Sequence, residues 1–97
     1  MAKGYWIAHV DVDDMETYKK YIAANAGPFA AFGAKFLVRG GDKEQKEGKS
    51  RARTVVIEFD SFEAALECYN SPEYQAAKAL RDPVSAGDMM IIKGYEG

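Results

Sequence analysis

Hydrophobic and polar residues alternate in four short stretches of this chain, and apolar residues recur at helical spacing after two of them. The alternating stretches are rich in β-branched and aromatic residues, which is typical of strands. Apolar residues three and four positions apart predict one helix after the first stretch and another after the third. The element order is therefore β-α-β-β-α-β in a single domain. The predicted strands cover residues 5–12, 35–39, 54–59 and 89–95, and the domain covers residues 1–97.

Capping and turn residues indicate where the helices begin and end. Asp13 and Asp60 are each followed three residues later by glutamate, the pattern of a capping box at a helix N-terminus. Gly27-Pro28 predicts an interruption of the first helix, because proline has no backbone donor. Ser71-Pro72 predicts that the second helical region restarts there, with serine as the cap and proline at the first helical position.

Each predicted strand can be divided into two faces, since successive side chains point to opposite sides of a sheet. One face is apolar in each of the first three strands and is expected to receive the helices. Right-handed crossovers then predict a two-layer α+β sandwich with an antiparallel sheet of order 4-1-3-2. The other face mixes large apolar groups with polar ones: Tyr5, Ile7, Leu37, Val56, Met89 and Ile91 with His9, Arg39 and Glu58.

This mixed face predicts a contact with a second copy of the chain. Contiguous exposed apolar patches mark interaction sites, and no further segment is left to cover this one. A two-fold partner seated on the face would bury about 1,200 Å² or more in total, the scale of a specific interface. We therefore predict a homodimer through the sheet face; the alternative is a monomer with an exposed patch.

Composition and charge exclude several classes of partner. A net charge of −2 gives no electrostatic reason to expect nucleic acid or an anionic membrane. No apolar run approaches the roughly 20 residues of a membrane span, and the N-terminus lacks a signal-peptide pattern. The single cysteine, Cys68, cannot form an intramolecular disulfide, so a soluble cytoplasmic protein is predicted. Residues 42–53 carry eight charges of mixed sign and predict a solvated hairpin arm.

Three polar residues of the mixed face are candidates for chemistry. His9 is the only histidine and is either a general acid or base near neutral pH or a histidine satisfied by a neighbouring acid. Glu58 and Arg39 either form a structural ion pair or act together, with Arg39 binding a substrate carboxylate and Glu58 orienting His9. Strand pairing is expected to bring His9 and Glu58, the candidate catalytic residues, within one or two positions of each other. Tyr18 and Tyr69 join Arg39 as candidate ligand-binding residues, or they pack in the core and interface.

Other chemistries have no support in the sequence. There is no nucleophile-elbow motif, no phosphate-binding loop and no dinucleotide fingerprint. One histidine, one cysteine and scattered carboxylates do not show a recognisable metal-ligand spacing. We therefore predict that the protein needs neither a metal nor a cofactor.

Four segments resemble a bacterial family known only as domain of unknown function 1330. They are residues 3–10 (KGYWIAHV), 36–41 (FLVRGG), 56–62 (VIEFDSF) and 69–75 (YNSPEYQ), in the family's order. The resemblance implies the dimeric α/β-barrel, ferredoxin-like superfamily, in which two sheets pack face to face. Relatives there include small monooxygenases, muconolactone isomerase-like enzymes and ligand-sensing domains. Lys49-Ser50 in the arm, and Asp60 where proline is common, depart from the family's pattern.

Two functions of different classes remain open at this stage. The first is a cofactor-independent enzyme, an isomerase or lyase or a monooxygenase-like protein, acting on a small aromatic or carboxylate-bearing metabolite. The second is a non-catalytic ligand-binding or stress-related accessory domain that uses the same pocket. A second acid–base group beside His9 would favour the enzyme.

Overall fold

A four-stranded antiparallel sheet with helices on one side forms the protein, in a computed structural model that describes residues 2–96. The sheet order is β2-β3-β1-β4, which is the predicted order 4-1-3-2 seen from the other edge. The predicted two-layer α+β sandwich is thus confirmed. The strands are β1 (Gly4–Val12), β2 (Lys35–Arg39), β3 (Arg53–Phe59) and β4 (Ser85–Lys93); the helices are α1 (Met15–Ala31), α2 (Phe62–Asn70) and α3 (Pro72–Arg81), with a 3-10 turn at Asp82–Val84.

The first two helices begin one residue later than the capping pattern predicts. Asp14 caps α1, and its Oδ1 accepts a hydrogen bond from the Thr17 amide at 3.2 Å. Ser61 caps α2 in the same way, with its hydroxyl accepting from the Ala64 amide at 3.0 Å. Both residues have extended backbone, which directs the side-chain oxygen at the free amides of the first turn. The predicted cap of α3, Ser71, is confirmed.

The first helix runs through Gly27-Pro28, so the predicted interruption is wrong. Pro28 and Phe29 are both buried, and packing of this turn outweighs the local cost of proline. Cys68 of α2 packs beside it, with its sulfur 3.9 Å from the Pro28 carbonyl oxygen and no exposed surface. Burial raises the pKa of the Cys68 thiol to about 12. Among residues 2–96, no helix has the length and apolar character needed to cross a membrane.

Trp6 lies at the centre of the core between sheet and helices. Its ring centroid is 4.8 Å from that of Tyr74 and 5.3 Å from that of Phe29, both in edge-to-face geometry. Its indole N–H donates to the Ala65 carbonyl at 2.9 Å, so the polar atom of this buried ring is satisfied. The aromatic cluster therefore ties β1 to all three helices.

A β-bulge interrupts the alternation of β2. Phe36 pairs with Ile57 and Val38 pairs with Val56, so Leu37 is an extra residue with no partner in β3. The predicted bounds of β2 are confirmed. Its predicted faces are wrong beyond the bulge, because one inserted residue reverses the alternation.

The last strand begins at Ser85, four residues earlier than predicted. Met89 and Ile91 pair with the helix-facing residues of β1 and pack against the core, so their predicted position on the mixed face is wrong. Met90 and Ile92 point the other way and are exposed. We call this side of the sheet, away from the helices, the outer face.

The long connection between β2 and β3 is an exposed arm without regular structure (residues 40–52). Its far end is held to the sheet by Arg51, which contacts Asp11 of β1 at 3.0 Å and Asp88 of β4 at 3.1 Å. The Ala52 amide also donates to Asp11 at 2.9 Å. Two neighbouring strands thus anchor the arm through one guanidinium and one amide.

Candidate functional site

A cavity of about 570 Å³ lies between the sheet and the helices α1 and α3. We call it the interlayer cavity. Its floor is the apolar, helix-facing side of the sheet, where Ala8, Val55 and Met89 come from three adjacent strands. Its walls are mainly aromatic, formed by Trp6, Tyr18, Tyr21, Phe29, Tyr69 and Tyr74.

Two phenols inside the cavity are hydrogen-bonded to each other. The hydroxyl oxygens of Tyr21 and Tyr74 are 2.8 Å apart. Arg81 lies over the Tyr21 ring at 5.5 Å, and a guanidinium N–H reaches the Tyr74 hydroxyl at 3.5 Å. Burial raises the pKa of Tyr74 far above its usual range, and it also raises the pKa of Tyr18. Tyr74 and Tyr18 therefore stay protonated at neutral pH and can donate hydrogen bonds, but they cannot act as bases there.

The candidate ligand-binding residues Tyr18, Tyr69 and Arg39 all line this cavity. Tyr18 projects from α1, and Tyr69 from α2 packs with its ring centroid 5.8 Å from that of Trp6. Arg39 was predicted on the outer face, and that placement is wrong. The bulge in β2 turns it to the helix side, opposite Val55.

The candidate catalytic residues lie on the outer face and do not contact each other. His9 pairs with Thr54, whose hydroxyl oxygen is 3.0 Å from the His9 Nδ1. Glu58 pairs with Tyr5, whose hydroxyl donates to its carboxylate at 3.2 Å. Glu58 is thus four positions along β3 from the partner of His9, about 13 Å of strand. The expected proximity of His9 and Glu58, and their cluster with Arg39, is wrong because the strand register separates them. The catalytic roles themselves remain predictions.

Sequence analysis missed several polar residues of the cavity, among them Arg53 and Asn25. Arg53 is the first residue of β3 and shares the helix-facing side with Val55 and Ile57 at spacings of two. Extending the predicted strand back by one residue reveals it. Asn25 lies one turn after Ile22 in the buried stripe of α1. A polar amide at a position where the helical pattern predicts an apolar residue is the sequence signal that could have identified it.

Among the described residues, no three histidine, cysteine, aspartate or glutamate side chains are grouped as metal ligands would be. The polar groups of the cavity are cations, phenols, an amide, a serine hydroxyl and two carboxylates. Together with the apolar floor they suit an organic ligand with a polar end.

The sequence matches the family model described as Domain of unknown function (DUF1330) over residues 3–95. The chain belongs to the DUF1330 family. The resemblance inferred from the four sequence segments is thereby confirmed. Among curated proteins, none matches this DUF1330 sequence.

Solved structures with the same ferredoxin-like fold are similar to this DUF1330 chain over nearly all of its length. A protein of unknown function from Rhodopseudomonas palustris has a TM-score of 0.77 at 16% identity, covering 99% of this chain and 85% of that one. SnoaB from Streptomyces nogalater, a cofactor-independent oxygenase, has a TM-score of 0.66 at 11% identity, covering 100% and 97%. A dimeric ferredoxin-like protein of unknown function from Jannaschia sp. CCS1 has a TM-score of 0.69 at 14% identity, covering 96% and 98%. At these identities the likeness shows the fold.

Proposed function

We propose that this chain binds a small organic molecule with a planar, mostly apolar body in the interlayer cavity. The observation that carries the proposal is the cavity itself. Its volume of about 570 Å³ lies within the range of about 300–1,000 Å³ that is typical of ligand sites. Aromatic walls and an apolar floor favour flat ring systems, which can stack on the walls or meet them edge-on.

The size of the cavity argues against a simple packing defect. Protein interiors are close-packed, so apolar and aromatic side chains that line an open space instead of packing against one another give up favourable contacts. A binding site accounts for both the space and the polar groups at its edges.

The binding unit is a homodimer formed through the outer face. Met90 and Ile92 of β4 are 55% and 45% exposed, and Leu37 at the bulge of β2 is 47% exposed. Ile7 of β1 and Val56 of β3 lie between these two edge strands. Such a patch of large apolar groups favours a protein contact. The similar protein from Jannaschia sp. is dimeric. A second copy is the occupant that fits both observations.

A second candidate function is cofactor-independent oxygenation of the bound molecule, favoured by the fold shared with SnoaB. In such a reaction an activated methylene compound and O₂ give a ketone and water, so that R₂CH₂ + O₂ becomes R₂C=O + H₂O. The substrate must first lose a proton. Tyr74 and Tyr18 are not available as bases near neutral pH, because burial raises the pKa of each phenol and keeps it protonated. The reaction is therefore limited to substrates that ionise in solution, with cavity cations stabilising the anion.

Isomerase or lyase chemistry receives less support. Those reactions need a group that takes and returns a proton near neutral pH. His9 is the residue suited to it, and it lies on the outer face. Binding without catalysis needs no such group and stays the alternative to oxygenation.

Trp6 provides the test of the proposed function, because it is the only tryptophan and lines the cavity. Titration with a set of one- to three-ring aromatic compounds should change its fluorescence and raise the unfolding temperature. Ala8→Met should weaken binding, since it places a longer side chain on the cavity floor. Ala24→Met is the control and should leave affinity unchanged, because Ala24 is exposed on α1 and does not line the cavity.

Two results would contradict the proposal. One is a set in which no compound changes the fluorescence or the unfolding temperature. The other is equal affinity in Ala8→Met and the unchanged protein, which would place the ligand elsewhere. Oxygen consumption with ionisable methylene compounds that bind separates the two candidate functions: uptake supports an oxygenase, and its absence with every bound compound leaves a binding protein.

A further inference from the structure

The charge of the interlayer cavity is opposite to that of the whole chain. The protein carries a net charge of −2. The cavity is lined by four cations and two carboxylates, a local net charge of +2. The cations are Arg39, Arg53, Lys78 and Arg81, and the carboxylates are Asp82 and Asp88.

Both carboxylates already have partners. Asp82 contacts Lys78 at 2.8 Å and Arg81 at 3.2 Å. Asp88 contacts Arg51 of the arm at 3.1 Å. Two of the four cavity cations therefore share one carboxylate partner within the chain, and neither carboxylate pairs with the other two cations.

Arg39 and Arg53 are the two cations left over. Within residues 2–96, neither makes an ion pair with a carboxylate. The Nε of Arg53 is buried and has no hydrogen-bond partner in the described part of the chain. A buried N–H without a partner is costly, so this atom calls for an acceptor. Arg39 lies over the Phe36 ring at 4.1 Å, which holds its guanidinium plane in place.

The two guanidinium groups come from the same region of one sheet face. Arg39 pairs with Val55, which is two residues from Arg53 on β3. Such diagonal neighbours are about 7–8 Å apart at their backbones, within reach of long side chains. Gly40 makes room for this arrangement, because a Cβ there would lie 2.9 Å from the Nη1 of Arg53.

Helix α1 contributes polar groups to the wall of the cavity. The phenol of Tyr18 is one of them. Asn25 lines the cavity and is only 4% exposed. Its amide can both donate and accept hydrogen bonds, so it can contact the polar part of a ligand.

We propose that the ligand of the interlayer cavity is a small aromatic carboxylic acid in its anionic form, with its carboxylate held by Arg39 and Arg53. This inference rests on the proposed function and specifies the class of ligand. A carboxylate fits because its two oxygens match the fork of guanidinium donors. The ring of the acid then extends among the aromatic walls.

The experiment compares acids with their neutral amides. Binding of benzoate and 2-naphthoate, and of benzamide and 2-naphthamide, is measured by calorimetry at about 50 and 300 mM salt. We expect each acid to bind about tenfold or more tightly than its amide, because hydrogen bonds to a charged group are the stronger ones. Phenyl phosphate and benzenesulfonate test whether another anion is preferred.

Arg53→Met should remove most of the preference for the acid, because it should lower the affinity for the acid far more than the affinity for the amide. Lys20→Met is the matched control, since Lys20 is exposed on α1 and does not line the cavity. Should Arg53→Met fail to fold, Arg53→Lys keeps the charge and loses Nε. An intermediate preference is then expected.

The outcomes separate this inference from the proposed function. Equal binding of acid and amide overturns the carboxylate assignment while the cavity remains a binding site. Tighter binding of phenyl phosphate or benzenesulfonate overturns the choice of carboxylate. An acid preference that stays undiminished in Arg53→Met, or in Arg53→Lys where Arg53→Met does not fold, overturns the role of Arg53. Failure of all these compounds to bind contradicts this inference, whereas the proposed function fails only if the wider set of neutral ring compounds also fails.

Discussion

Gly4 is the residue at which the first strand touches the start of the second helix. A Cβ at this position would lie 2.5 Å from the Ser61 carbonyl oxygen and 2.6 Å from the Phe62 Cα, both backbone atoms that cannot move aside. We expect Gly4→Ala to destabilise the protein by about 2 kcal/mol or more. Urea unfolding measures the effect. Gly41→Ala is the control, because nothing lies within 4 Å of a Cβ there, and equal midpoints for the two variants would contradict the contact.

Asp11 couples the arm to the sheet in a pH-dependent manner. The Ala52 amide and the Arg51 guanidinium hold the pKa of this carboxyl below its usual range. The interaction is therefore fully present above the unfolded pKa of about 3.9 and is lost as the pH falls through the lower, folded value. The amide signal of Ala52 in an NMR titration should follow that transition. Asp11→Asn should abolish it, Asp13→Asn should preserve it, and a midpoint at or above the usual value would contradict the interaction.

At the residue scale, the sequence predicted structural roles, such as a helix cap, more accurately than which residue fills each role. Ser71 was identified as a cap because serine before proline has a specific local meaning. Asp13 and Asp14 offer the same side chain at neighbouring positions, and only the path of the chain selects Asp14. Similarly, Tyr18 lies where a helical stripe predicts it, whereas its neighbours in the cavity come from distant segments.

At the scale of elements, the bulge in β2 decides which residues can act together. Leu37 has no partner in β3, and nothing in its side chain distinguishes it from an ordinary strand residue. Arg39 consequently lies on the helix-facing side of the sheet, whereas His9 and Glu58 lie on the outer face. Alternation predicted the faces of β1 and β3, because those strands are regular. It failed in β2, where the irregularity is a property of the pairing and not of one strand.

The regular alternation of β3 permits a matched pair of substitutions. Ile57 is 4% exposed beneath the helices, and Val56 beside it points to the outer face. Ile57→Asp should prevent folding, since an unpaired charge in the core costs several kcal/mol. Val56→Asp should leave the subunit folded. Circular dichroism and thermal unfolding measure both, and a folded Ile57→Asp together with an unfolded Val56→Asp would show that the faces are exchanged.

At the scale of the whole molecule, the fold follows from the order of its elements. Two crossovers of the same hand leave one arrangement of four strands, with both crossover helices on a single side of the sheet. That reasoning needs no exact boundaries, so it tolerates errors such as the late start predicted for β4. The cavity could not be predicted in this way, because an empty volume depends on how all its walls pack.

The exposed outer face predicts the state of association. Light scattering on a size-exclusion peak should give about 21 kDa, twice the 10.7 kDa of one chain. Met90→Asp places a charge on the most exposed part of the apolar patch and should shift the mass towards one chain. Lys19→Asp on the exposed side of α1 is the control and should stay dimeric. A mass of one chain for the unchanged protein would contradict the dimer.

The buried sulfur of Cys68 can be used to measure how often the protein opens transiently. This thiol has no exposed surface and its pKa is raised to about 12, so a maleimide or disulfide reagent can react only with molecules that have opened. Because there is one cysteine, the labelling rate counts a single kind of event. A ligand that binds only the closed form should slow labelling in proportion to 1 + [L]/Kd. Mass spectrometry of a labelling time course would thus measure affinity for any compound, coloured or not, without a signal from the compound itself.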